Sequence, residues 1–136
     1  MMRNTTQRGF SLIELLIVMV IVSILAMIAV PSYQASVIKS RRADGRVVLN
    51  DIAQKLERCY TQFGAYDAAA CAIDDAAVIQ SPEGFYAVTV AIADASTYTL
   101  TAAPQGPQTD DTGCGNLAFT NTGVRSADGD TPDRCW

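Results

Sequence analysis

Histidine is absent from this 136-residue chain, and with it the side chain most often used for general acid–base work near neutral pH. The serines stand outside any G-x-S-x-G context, and no glycine-rich phosphate loop is present. C-x-x-C spacing is missing as well, which together with the absent histidine removes the usual zinc frameworks. No enzymatic activity, cofactor or metal is therefore expected. Charge is also scarce. Asp, Glu, Lys and Arg make up 18% of the chain, and residues 12–30 contain one charged side chain, Glu14.

What is present begins with that exception. Residues 10–30 form an apolar run in which only Ser11, Glu14 and Ser23 are polar. Nineteen residues, 12–30, span roughly 28 Å as a helix, enough for the hydrocarbon core of a bilayer. An unpaired carboxylate near the head of such a segment costs roughly 2.5–3.5 kcal/mol to insert and is a functional candidate by default. A basic stub containing Arg3 and Arg8 precedes it and ends in Gly9. Cleavage between Gly9 and Phe10 would create an α-amine four residues before Glu14, able to neutralise the carboxylate in an apolar setting. An ordinary signal peptide fits less well, because Glu14 lies inside the hydrophobic region and no A-x-A site precedes a plausible mature start.

Charge is unevenly distributed. Without residues 1–9, 8 basic and 14 acidic side chains remain, a net charge of −6. Residues 39–58 carry six basic and three acidic side chains, whereas from Cys59 onward Arg125 and Arg134 face ten acids. A basic helical stretch and an acidic head are implied, and the acidic head argues against broad binding to a phosphate backbone. Four cysteines, Cys59, Cys71, Cys114 and Cys135, all follow the apolar run. An even count in a small exported head reads as a disulfide framework, which places that part of the chain outside the cytoplasm. Spacing permits three connectivities, and proximity favours Cys59–Cys71 with Cys114–Cys135.

Beyond Pro31, the residues Ile38, Gly45, Leu49, Ile52, Leu56, Tyr60 and Phe63 recur at three-, four- and seven-residue steps. This spacing predicts one long, bent helix over residues 11–62, apolar around its first half and amphipathic in its second. Period-two alternation predicts antiparallel strands over residues 85–92, 97–102 and 116–120, with a short fourth over 124–126. Tyr86, Val88, Val90, Ile92, Tyr98, Leu100, Ala102, Leu117 and Phe119 would face inward. Residues 64–83 read as an irregular link, and 104–113 as a turn-rich loop. Asp128, Asp130 and Asp133 alternate with small residues, which fits a solvated turn better than a calcium loop.

The segment Arg8-Gly9-Phe10-Ser11-Leu12-Ile13-Glu14-Leu15 resembles the prepilin signature of type IV pilins and their secretion-system relatives. That resemblance implies cleavage by a prepilin peptidase between Gly9 and Phe10, N-methylation of Phe10, and docking into a helical filament directed by Glu14. Pro31 falls where these helices usually carry a proline and marks an expected bend. Ser23 departs from the family pattern, which often has a glycine there associated with local melting of the helix. The Cys114–Cys135 pair resembles the C-terminal disulfide loop of these proteins. Residues 98–102, 114–117 and 135–136 are similar to PilE-type minor pilins of Gram-negative bacteria.

The implied fold class is α+β: a long N-terminal helix packed on a three- to four-stranded antiparallel sheet, with a disulfide-closed C-terminal loop. The implied organisation is a leader over residues 1–9, a transmembrane and filament-core helix over 10–32, and a globular head over 33–136. The implied function is a structural subunit, a minor pilin, of a type IV pilus supporting twitching motility, adhesion or DNA uptake. Its implied partners are other pilin subunits, the prepilin peptidase, the inner membrane and its pilus assembly platform, with DNA reached only through the assembled fibre. It would sit in the inner membrane with a periplasmic head before assembly and in the extracellular pilus afterwards. The rival readings are a pseudopilin of a type II secretion system and a membrane-anchored periplasmic binding module that never polymerises.

Overall fold

The computed structural model describes residues 9–136, so Arg3, Arg8 and the rest of the expected leader before Gly9 lie outside the described residues. Among the described residues one α-helix, α1, runs Leu12–Phe63 with Pro31 inside it. Ser11 starts it, its carbonyl accepting from the Glu14 and Leu15 N–H groups at 3.1 and 3.2 Å. The chain divides into two compact units, the second being Val37–Trp136.

In the second unit five strands follow the helix: β1 (Val78–Gln80), β2 (Tyr86–Asp94), β3 (Thr97–Pro104), β4 (Leu117–Thr120) and β5 (Arg125–Ala127). Each pairs antiparallel with the next, giving a meander in the order β1-β2-β3-β4-β5. The sheet is larger than the three or four strands expected. The additional strand, β1, lies in the stretch read as irregular, because three residues are too few to carry a period-two signal. Pairing of Val78, Ile79 and Gln80 with Thr89, Val88 and Ala87 defines it. The loop over 104–113 likewise contains a short 3-10 helix, Gly106–Asp110.

Alternation decides which face of the sheet meets the helix. Tyr86, Val88 and Val90 of β2, Tyr98, Leu100 and Ala102 of β3, and Leu117 of β4 are buried, while their strand neighbours are more exposed. From α1 they receive Val48, Leu49, Ile52, Ala53 and Leu56. The apolar stripe ends differently from its prediction. Tyr60 and Phe63 are exposed, and Cys59 is the last helical residue buried. Gly45 lets the helix approach the sheet closely, since a Cβ there would meet the Tyr86 ring at 2.9 Å.

Candidate functional site

In the first unit, every large apolar side chain from Leu12 to Val30 is at least half exposed, on all sides of the helix. This is the one helix among the described residues long and apolar enough to cross a membrane. Glu14 lies in its first turn, where the unpaired N–H groups and the helix dipole favour a carboxylate. The salt bridges among the described residues are Arg42–Asp111 and Lys55–Asp51, so none involves Glu14. Ser23 donates its hydroxyl to the Met19 carbonyl at 2.7 Å, which satisfies a polar group inside the apolar run.

The second unit is held by polar contacts that sequence spacing did not reveal. Arg42 of α1 donates through Nε and Nη2 to the two carboxylate oxygens of Asp111, at 2.6 and 2.8 Å. That hydrogen bond raises the Arg42 pKa above its ordinary value despite partial burial. Gln108, fully buried, donates to Asp111 Oδ2 and to the Tyr86 hydroxyl, each at 3.1 Å, and approaches the Ile38 carbonyl at 3.3 Å. Two residues along the helix from Arg42, Asp44 accepts from the Ser81 hydroxyl and from the N–H groups of Glu83 and Phe85, fixing the entry into β2. Burial pushes the Tyr86 hydroxyl pKa up.

Glu57 is shared by two tyrosines. Tyr66 and Tyr98 donate to its Oε1 at 2.8 and 3.1 Å, and their rings meet edge to face at 4.8 Å. Burial, followed by the bond to Glu57, pushes the Tyr66 pKa up to about 12. Burial and the Glu57 charge raise that of Tyr98 as well. At the hairpin between β2 and β3, two hydrogen bonds from Ser96 lower the Asp94 pKa.

Two disulfides brace this unit, Cys59–Cys71 and Cys114–Cys135, each with a Cα–Cα distance of 5.6 Å. The first ties the link after α1 back to its last turn. The second closes the C-terminal loop, whose backbone also pairs with residues 112–114: Gly129, Asp130 and Thr131 donate to the carbonyls of Cys114, Thr112 and Gly113. A Cβ on Gly129 would meet Gly113 and Thr112 backbone atoms at 2.5 Å, so the loop can close only around glycine. Asp128 is engaged by Asn116, whose backbone N–H and side-chain amide it accepts at 2.7 and 2.8 Å. Among the described residues no cluster of three acids, cysteines or histidines suits a metal. Asp128 and Asp130 stand within this closure, and Asp133 lies in a short 3-10 helix, Pro132–Arg134.

At the β4–β5 edge an exposed arginine covers two half-buried aromatic rings. Arg125 of β5 sits opposite Phe119 of β4, its guanidinium carbon 5.9 Å from the Phe119 ring and 5.6 Å from the Trp136 ring. Trp136 is oriented by donation of its indole N–H to the Ser126 carbonyl at 2.9 Å. Phe119 also lines a groove of about 500 Å³ whose helical wall includes Asn50, Gln54, Glu57 and Arg58.

Comparison with known proteins matches residues 31–118 to a family described as type IV minor pilin ComP, DNA uptake sequence receptor. Residues 4–30 match the prokaryotic N-terminal methylation motif. Fimbrial protein EcpC of Eikenella corrodens is 33% identical over 96 residues, 71% of this chain and 61% of that protein. Type IV major pilin protein PilE1 of Neisseria gonorrhoeae is 64% identical over 31 residues, 23% of this chain and 19% of its own length. The chain thus aligns with about three fifths of the first relative and a fifth of the second. A solved type IV pilin from Shewanella oneidensis superposes with a TM-score of 0.51 at 32% identity, covering 65% of this chain and 89% of that one.

Proposed function

The chain belongs to the type IV minor pilins, and from that premise we propose that it enters a type IV pilus after cleavage between Gly9 and Phe10. A prepilin peptidase makes the cut and Phe10 is then N-methylated. Residues 1–9 are the leader, 10–32 the membrane and filament-core helix, and 33–136 the head.

The observation that carries this reading is the exposed apolar helix with one carboxylate in its first turn. Fifteen large apolar side chains lie between residues 12 and 30. Burial is worth roughly 1.5–3 kcal/mol for each, against roughly 2.5–3.5 kcal/mol to insert one carboxylate. The anchor therefore stays in the inner membrane despite Glu14, with the head on the periplasmic side. On docking at the assembly platform, the same apolar surface packs against other subunits. Glu14 meets a Phe10 amine, and the charge that burdens the lone helix sets its register. Pro31, which has no N–H to donate, marks where the helix bends.

The matched family's description extends the reading to DNA, which the head contacts once it is displayed on the fibre. Twitching motility and adhesion are further roles of such a fibre.

Mechanical shearing of cells followed by mass spectrometry of the released fibres tests the proposal. The chain is expected in the sheared fraction with Phe10 at its N-terminus. Retention in the envelope would instead support a type II secretion pseudopilin or a non-polymerising binding module.

A further inference from the structure

We infer that the groove between α1 and the turn after β4 is a carbohydrate site, taking a neutral, hydroxyl-rich sugar on oriented oxygen acceptors of Asn50, Glu57 and Asn121. The inference goes beyond the filament and DNA readings and rests on neither.

Hydrogen bonds within the head decide what the groove presents. Asn50 of α1 donates its side-chain amide to the Arg46 carbonyl at 2.7 Å. Asn121, just past β4, donates its own to the Ser96 carbonyl at 3.0 Å. Each amide is thereby oriented, with Oδ1 left to meet a ligand. Glu57 is held in the same way, because the Tyr66 and Tyr98 hydroxyls take Oε1 and leave Oε2. All three residues line the one groove, and among the described residues no side-chain or backbone donor reaches these remaining oxygens. Fixed acceptors select a ligand that brings donors, and they disfavour phosphate and carboxylate groups, which bring acceptors alone. Charge selects further. Arg58 lines the same groove, exposed and in neither salt bridge among the described residues, so it offsets Glu57 and works against a cationic ligand. A sugar hydroxyl donates and accepts through one atom, so it suits the acceptors and equally the N–H groups of Gln54 and Arg58. The groove, about 500 Å³, falls within the roughly 300–1,000 Å³ typical of ligand clefts.

The full chain, in micelles of dodecylphosphocholine so that no detergent sugar competes, is titrated with maltose, lactose, cellobiose and chitobiose. Saturation-transfer difference NMR reads the binding. At least one of these neutral disaccharides should bind. Asn50→Ala and Gln54→Leu change exposed positions of α1 that the core does not use, so the head keeps its fold. Each should weaken that sugar roughly threefold to tenfold, the loss of one neutral hydrogen bond. Lys55→Ala, outside the groove, should leave its binding unchanged. Spermine, a cationic donor, should not compete with the sugar. Absence of binding by all four disaccharides would overturn the site. So would a disaccharide whose binding ignores both the Asn50 and the Gln54 changes, or displacement of the sugar by spermine. None of these results bears on whether the chain enters a fibre or contacts DNA.

Discussion

Arg42 on the helix grips both carboxylate oxygens of Asp111, a residue 69 positions later, at 2.6 and 2.8 Å. Asp111 is only 4% exposed, and Gln108 supports it from within the same loop. The helix and the segment between β3 and β4 are thereby joined by a charge pair rather than by apolar packing alone. Removing one member leaves the other charge buried and unmatched. Arg42→Ala should therefore destabilise the second unit by about 3–5 kcal/mol, whereas a double replacement by apolar residues of similar volume should cost much less than the sum of the single changes. Chemical denaturation of the full chain in micelles measures both. An Arg42→Ala variant as stable as the parent would show that the pair contributes nothing.

Tyr66 and Tyr98 converge on one oxygen of Glu57, and both hydroxyls titrate above their ordinary value. An unfolded tyrosine titrates near ~10, so the folded form holds these protons more tightly. The resulting stability is fully present below about pH 10 and is lost as pH rises toward about 12, the value reached by Tyr66. Tyrosinate absorbance followed together with circular dichroism should show ionisation and unfolding in that window. Glu57→Gln should lower the Tyr66 pKa only in part, because burial is the larger cause. Return of Tyr66 to its ordinary value in that variant would contradict this ordering.

Gly45 sits mid-helix, where alanine is the better helix former by about 1 kcal/mol. Its missing Cβ is nevertheless where the Tyr86 ring lies, 2.9 Å away. That ring is fully buried and its hydroxyl is held by Gln108, so it cannot easily yield. Overpacking of this kind costs roughly 1–3 kcal/mol, which outweighs the propensity gain. Gly45→Ala is expected to lower the melting temperature, and an unchanged or higher one would mean that the ring gives way freely.

Local patterns were legible in the sequence, and long-range polar pairing was not. Leu49, Ile52 and Leu56 recur at helical spacing and are buried, as Tyr86, Val88 and Val90 are at strand spacing. Tyr60 and Phe63 continue the helical spacing yet are exposed, because the sheet no longer covers the last turn and Cys59 points into the fold instead. The loop over 104–113 has the composition of a solvated turn. Gln108 and Asp111 are nonetheless buried there, because Arg42 and Tyr86 supply partners that no local window contains. The contacts of Arg125 with Phe119 and Trp136 are not local either, since they depend on the register between β4 and β5 and on a chain end folded back beside them. The segment from Arg8 to Leu15 stands apart, because the methylation motif it belongs to is made of consecutive residues and needs no fold to be recognised.

In the proposed assembly, Glu14 is carried into the membrane by apolar burial and directs docking by meeting the Phe10 amine of another subunit. Quantifying Glu14→Ala protein in sheared pili relative to the membrane fraction tests this most directly. The account predicts a mature protein still beginning at Phe10 and held in the membrane, with its share in the fibres reduced roughly tenfold or more, since an unmet charge of this kind is worth a few kcal/mol. Fibres carrying the alanine form at the parent's level would contradict it.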